Sequence, residues 1–205
     1  MTELQVHVEH GARTARAGTL YATVGRGAVS STFVYDSSYL SRPGGYDLEP
    51  RLARRAGQQY VPGLPGSFRD CAPDRWGRNL IDKRRRAQQR ASGQRLPSLT
   101  DVDYLLGVSD LTRQGNLRFA LDDGDFLAAH AAVPKLVALP RLLASADAVV
   151  DAGAPDDLAA VKALLDAGSG SLGGARPKAS VQGDGGSLLI AKFPHAQDEW
   201  DVMAW

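Results

Sequence analysis

The segment Gly168-Ser169-Gly170-Ser171-Leu172-Gly173 reads G-x-G-x-x-G and is followed by two lysines, Lys178 and Lys192. Glycines so spaced can serve phosphate chemistry in two ways. In a dinucleotide-binding fold they need a strand before them, a helix after them and an acid about 20 residues further on. Here residues 156–167 read as a helix and a hairpin follows, so that use is not supported. In a kinase-like N-lobe the loop covers the phosphates, and a lysine on the next long strand meets them. Leu188-Leu189-Ile190-Ala191-Lys192 offers that strand, with apolar neighbours holding Lys192 in place and its ammonium paired to phosphate or carboxylate oxygens. Lys178 adds a second cation, and successive main-chain N–H groups in such a bend form an anion-binding nest. The plain alternative is that the glycines only join a helix to a hairpin and that the strand lysine is solvated. Pattern alone leaves both open. Ser171 by itself reads as a helix-terminal hydroxyl bonded to backbone.

Other candidates are weaker. His7, His10, His130 and His195 sit in unlike elements with no i, i+4 pair and no cysteine cluster, so no metal site is expected. Lys83, Arg84, Arg85, Arg86 and Arg90 have only Asp82 near them; a solvated helix face is the simpler reading, and a patch for an acidic partner or nucleic acid the other. Trp76 reads as a core anchor on an amphipathic helix. Asp125-Phe126 precedes the glycine loop, the wrong order for a kinase metal motif.

The elements that must position these residues are legible in outline. Leu4 to Val8, Leu20 to Val24 and Ser31 to Tyr35 alternate or are β-branched and aromatic, which predicts a small antiparallel sheet, curled toward a partial barrel. Pro62-Gly63-Leu64-Pro65-Gly66-Ser67 reads as a stiff loop. It leads to a helix over residues 73–91 with Trp76 and Leu80 on one face. Thr100-x-x-Asp103 resembles a capping box before another helix. Residues 117–121 return as a strand, 139–150 and 156–167 read as helices, the second started by Pro155 and two acids, and 179–182 with 187–193 as a hairpin. Asp198 to Trp205, with Trp200, Met203 and Ala204, has the spacing of an opening helix that looks cut.

Composition bounds the classes. The 205 residues hold 24 Lys and Arg against 23 Asp and Glu, so no overall field favours coating nucleic acid or an anionic membrane. The single cysteine, Cys71, excludes an internal disulfide framework and fits a reducing compartment. No basic-then-apolar start and no bilayer-length apolar run can be read, and a cytoplasmic protein is the expectation.

Several motifs in order carry a resemblance. Gly63-Leu64-Pro65-Gly66, then Asp70-x-x-Pro73-Asp74-x-Trp76-Gly77-Arg78, Gly115-Asn116-Leu117-Arg118-Phe119, Ser171-Leu172-Gly173-Gly174-Ala175-Arg176-Pro177-Lys178 and Ile190-Ala191-Lys192-Phe193-Pro194 resemble the HipA family of toxin–antitoxin serine/threonine kinases over nearly the whole chain. The resemblance implies a kinase that binds ATP with Mg2+, phosphorylates an aminoacyl-tRNA synthetase and so arrests translation. It also implies a HipB-like helix-turn-helix antitoxin as partner, with operator DNA contacted only through that antitoxin. Ser171 maps onto the family's autophosphorylation site. Gly173, Gly174, Ala175, Arg176, Pro177 and Lys178 map onto the loop at the ATP phosphates, and Lys192 onto the nucleotide-binding strand lysine. A phosphate on Ser171 would add about −1.5 to −2 charges beside a phosphate-binding loop, and repulsion with ejection of the loop would switch ATP binding off.

The fold expectation is α+β: a β-rich N-terminal subdomain over residues 1–121, then the start of a protein-kinase-like N-lobe over 122–205. In the family the catalytic aspartate and the Mg2+ ligands lie beyond the strand lysine. Asp198, Glu199 and Asp201 sit on an apparent helix that resembles no catalytic loop, so no catalytic residue is assigned and this chain alone is expected to be inactive. The alternative is a non-catalytic module that docks an antitoxin or a separately encoded kinase lobe. Apolar surface bared for a missing lobe would let such a chain self-associate.

Overall fold

The computed structural model describes residues 1–11, 13–25, 27–121, 126–127, 133–150, 157–194 and 198–199. His130, His195, Asp125, Pro155, Asp156, Trp200, Asp201, Met203 and Ala204 lie outside the described residues. The chain divides by packing into two units interleaved in sequence. One comprises Met1–Ala72, Ser98–Leu106 and Arg113–Ala129, the other Pro73–Pro97, Gly107–Thr112 and His130–Trp205. Both strands and helices are present, so the class is α+β.

In the first unit, alternation becomes a one-sided sheet. Strands β1 (Thr2–His10), β2 (Arg13–Gly25), β3 (Ala28–Tyr35), β4 (Gln58–Pro62) and β5 (Leu117–Ala120) form an antiparallel sheet in the order β4-β3-β2-β1-β5. Among the described residues this is the small antiparallel sheet that the alternation predicts, with β4 and β5 as its outer strands. Every second residue of β1, from Leu4 through Val6 to Val8, is buried, as are Leu20, Ala22, Phe33, Tyr35, Val61 and Phe119. Three short helices cover this face: α1 (Ser37–Leu40), α2 (Gly66–Arg69) and α4 (Asp101–Leu106), supplying Tyr39, Phe68, Val102 and Leu105. At the capping box expected for α4 the carboxylate half is present: Thr100 N–H and Oγ–H both donate to Asp103 Oδ2, at 2.8 and 2.7 Å. Strand β4 and helices α1 and α2 were not read from the sequence. Their runs are short, and Pro62 and Gly66 look like loop residues until they are placed at element ends.

A chain of edge-on aromatic contacts binds the sheet to its cover. Phe33 meets Tyr35 at 4.9 Å and Phe68 at 5.8 Å, and Phe68 meets Phe119 at 5.5 Å. The buried Arg113 guanidinium donates to Cys71 O (2.8 Å) and Leu105 O (3.0 Å) and lies 4.8 Å from the Phe119 ring centroid, tying three segments of the unit.

The second unit packs helices on a hairpin. Helices α3 (Arg75–Ser92), α5 (Leu139–Val150) and α6 (Leu158–Asp166) meet strands β6 (Lys178–Gln182) and β7 (Leu188–Lys192), which pair antiparallel. Leu142, Ser145, Ala146 and Val149 make the buried stripe of α5 at i, i+3, i+4 and i+7. Asp157 starts α6 by accepting from Ala159 and Ala160 N–H at 2.9 and 3.1 Å. Trp76, Leu80, Val161, Leu164, Ala179, Val181 and Phe193 complete this core, so Trp76 is an anchor as expected. Asp198 and Glu199 are not helical, unlike the expected continuation.

Replacing Phe33 with Ala empties the centre of the aromatic chain and should destabilise the first unit by about 3–5 kcal/mol in denaturant unfolding. Tyr35 gives a pH test. Its hydroxyl accepts from Leu48 N–H at 2.9 Å and donates to Leu52 O, and burial pushes its pKa from 10.0 up to about 12. Stability drawn from the neutral phenol should be complete below pH 10 and lost as pH climbs through 12, seen as a late phenolate step by ultraviolet titration that Tyr35→Phe abolishes.

Candidate anion-binding site

The glycine segment begins where α6 stops. A 3-10 turn, Ser169–Ser171, follows Gly168, and Leu172 then runs extended and buried. The two ends of the bend are pinned together. Ser180 N–H donates to Ala167 O at 2.9 Å, Ser169 Oγ donates to Lys178 O, and Phe193 N–H donates to Pro177 O at 2.9 Å. Between these ties Leu172 and Pro177 are buried, while Gly174, Ala175 and Arg176 are exposed at the tip.

Ser171 faces inward. Its N–H and its hydroxyl both reach Gly168 O at 3.1 Å, and its Oγ shares a hydrogen bond of 2.5 Å with Thr112 Oγ1. The residue is buried, and Thr112 is a partner that sequence spacing could not supply, since the contact joins distant segments.

The cations are organised by strand register. Lys178 on β6 is directly opposite Lys192 on β7, and facing residues of an antiparallel pair project to the same side. Lys178 is buried and its ammonium donates to Gly173 O; Lys192 is exposed. Burial draws the Lys178 pKa below its ordinary value, the charge of Lys192 lowers it further, and Asp74 acts the other way. Arg176 Nη1 pairs with Asp198 Oδ2 at 2.5 Å. The apolar setting expected for Lys192 is not a buried one. Leu188, Leu189 and Ile190 of β7 are exposed, whereas Ala179, Ser180 and Val181 of β6 are buried.

Helix α3 joins the bend through its first turn. Gly174 N–H donates to Asp74 Oδ2 at 2.7 Å, and Trp76 N–H donates to Gly174 O at 3.1 Å. Gly174 has φ of +94°, a backbone shape that favours glycine, and an added Cβ would lie 2.8 Å from Lys178 Nζ, which would have to shift. Asp74 and Thr112 are the site residues the sequence reading did not assign; Asp74 stood within the quoted Asp70-to-Arg78 motif without a role of its own.

The remaining candidates fall elsewhere. His7 contacts Phe126 edge-on at 5.1 Å and His10 stacks on Tyr46 at 6.2 Å, both within the first unit. Among the described residues no group of three His, Cys, Asp or Glu side chains is placed to hold a metal ion. The α3 cations are not one solvated face: Lys83, Arg84 and Arg85 are half-buried, Arg85 donates to Pro97 O at 3.1 Å, and burial lowers the Arg84 pKa while Asp166 raises it. No helix among the described residues is long and apolar enough to cross a membrane.

Close approach fixes α3 against the 3-10 turn. A Cβ on Gly77 would run into the Gly170 carbonyl and lie 2.7 Å from Pro73 Cβ. Gly77→Ala should therefore destabilise the second unit by about 1–3 kcal/mol and speed amide exchange in residues 168–174, measured by urea unfolding and hydrogen exchange.

Residues 11–101 match the family model described as the HipA N-terminal domain. None of the curated proteins matches the chain. The matched stretch includes Asp74, Trp76 and Gly77, and the glycine bend lies beyond it.

Proposed function

This chain carries the N-terminal portion of a HipA-family protein, and from that premise we propose that it belongs to a serine/threonine protein kinase toxin whose bend at residues 171–178 receives the phosphates of ATP. The observation that carries the reading is the register of β6 and β7, which sets Lys178 and Lys192 side by side next to an exposed, glycine-containing turn. The charge of Lys192 already acts unfavourably on the Lys178 ammonium, and an anion bound near both would relieve that repulsion. Main-chain N–H groups at the tip supply donors that need no side chain. The residues present thus fit a triphosphate; bound ATP would supply the transferable phosphoryl group. No position is assigned to Mg2+, since the described residues offer no ligand set.

In this proposal Gly173 to Lys178 and Lys192 bind, and phosphoryl transfer is assigned to no residue of the chain. Ser171 is the autophosphorylation site. Its hydroxyl must first leave Thr112 and Gly168, and a phosphate of about −1.5 to −2 charges has no room where the hydroxyl now sits. Modification therefore holds the bend out of its present shape and weakens nucleotide binding. An aminoacyl-tRNA synthetase as substrate and a helix-turn-helix antitoxin as partner follow from the family alone. A second reading rests on the family match falling in the N-terminal domain: a module that docks an antitoxin or a separate kinase lobe without binding nucleotide.

Calorimetric titration of the chain with ATP separates the two. Binding that Lys192→Met weakens about tenfold or more, with Lys178→Met and Ser171→Asp also weaker, supports the nucleotide site. No ATP affinity together with tight capture of a purified antitoxin replaces it with the docking module.

A further inference from the structure

Asp74 stands at the N-cap position of α3, yet its side chain makes no capping hydrogen bond to its own helix. An aspartate there ordinarily accepts from the second or third helical N–H. Asp74 instead turns its carboxylate to the bend and accepts from Gly174 N–H at 2.7 Å. Gly174 belongs to the exposed tip and has a left-handed φ of +94° that side chains rarely adopt. A second carboxylate, Asp198, does the same to the neighbouring cation Arg176. Each of these two acids thus holds a group that a phosphate oxygen would use.

We propose that Asp74 is an internal competitor for the anion site: its carboxylate occupies the Gly174 amide, and a phosphate-bearing ligand must displace it to bind. The inference rests on the nucleotide reading above and adds its regulation. A single amide proton serves one strong acceptor at a time, and a carboxylate beside an incoming triphosphate repels it. The same contact holds the bend in place while no ligand is bound, so Asp74 is a positioning residue and not a catalytic one. Movement of the start of α3, which carries Asp74 and Trp76, would open or close the site.

The test uses the full 205-residue chain in metal-free buffer, titrated with ATP, inorganic triphosphate and adenosine. Asp74→Asn keeps the shape and removes the charge; Asp74→Ser also removes it and keeps a good helix-capping residue, so it serves if the first variant does not fold. Both should bind ATP and triphosphate roughly tenfold tighter than the parent chain, with adenosine unchanged, and the gain should shrink as salt rises. A purely structural role would weaken all ligands alike. If the parent chain binds triphosphate and the variants bind it equally or less tightly, the competitor is overturned and the nucleotide site stands. If neither parent nor variants bind triphosphate or ATP, both fail.

Discussion

The short stem that closes the glycine bend governs the rest of the second unit. Three ties, from Ser180 to Ala167, from Ser169 to Lys178 and from Phe193 to Pro177, fasten the end of α6 to the start of β6 and the end of β7. Once the stem is shut, β6 can pair with β7 only in a register that brings Lys178 and Lys192 face to face. That arrangement is costly in isolation, because like charges sit close and one of them is buried. The Gly173 carbonyl and the Asp74 carboxylate offset the cost from one side, and Leu172, Pro177 and Ala179 hold the backbone from the other. A loop so placed has a fixed base and an exposed tip, the combination that lets a ligand contact main chain without the loop having to fold around it.

The first unit is stabilised differently. Its sheet has one apolar face, and the cover is assembled from short helices that could not persist alone. Phe33, Phe68 and Phe119 link strand, helix and strand, and Arg113 satisfies two buried carbonyls from separate segments. The residues matching the HipA N-terminal domain run through this unit and into α3 of the second. Residues of the matched domain therefore include the acid that meets the bend, while the bend itself comes later in the chain.

Ser171 is seated inward and Lys192 outward, and the proposed nucleotide site has to work from that arrangement. The hydroxyl is buried and hydrogen-bonded to Thr112 and Gly168. The lysine is open to solvent and can meet an incoming anion first. Local rearrangement of the bend, and not of the whole fold, is the step that would expose the serine.

Periodicity by itself determined the long elements: the alternation of Leu4, Val6 and Val8, the helix at 139–150 and the hairpin around Gly183 to Gly186 are local signals, written in residues that are neighbours in sequence or one helical turn apart. The order of motifs likewise pointed to the family and to the lysines of the bend. Tertiary structure alone decided the rest. Strand β4 forms because β3 offers it a partner, which no short run of Gln58 to Pro62 announces. Strand β5 joins β1 across more than a hundred residues of chain, a pairing that no local pattern announces. Asp74 turns from its own helix, and Thr112 seals Ser171, through contacts between residues far apart in the chain; such contacts depend on how helices and hairpin pack, and packing is a property of surfaces meeting in space that spacing along one strand of sequence does not encode.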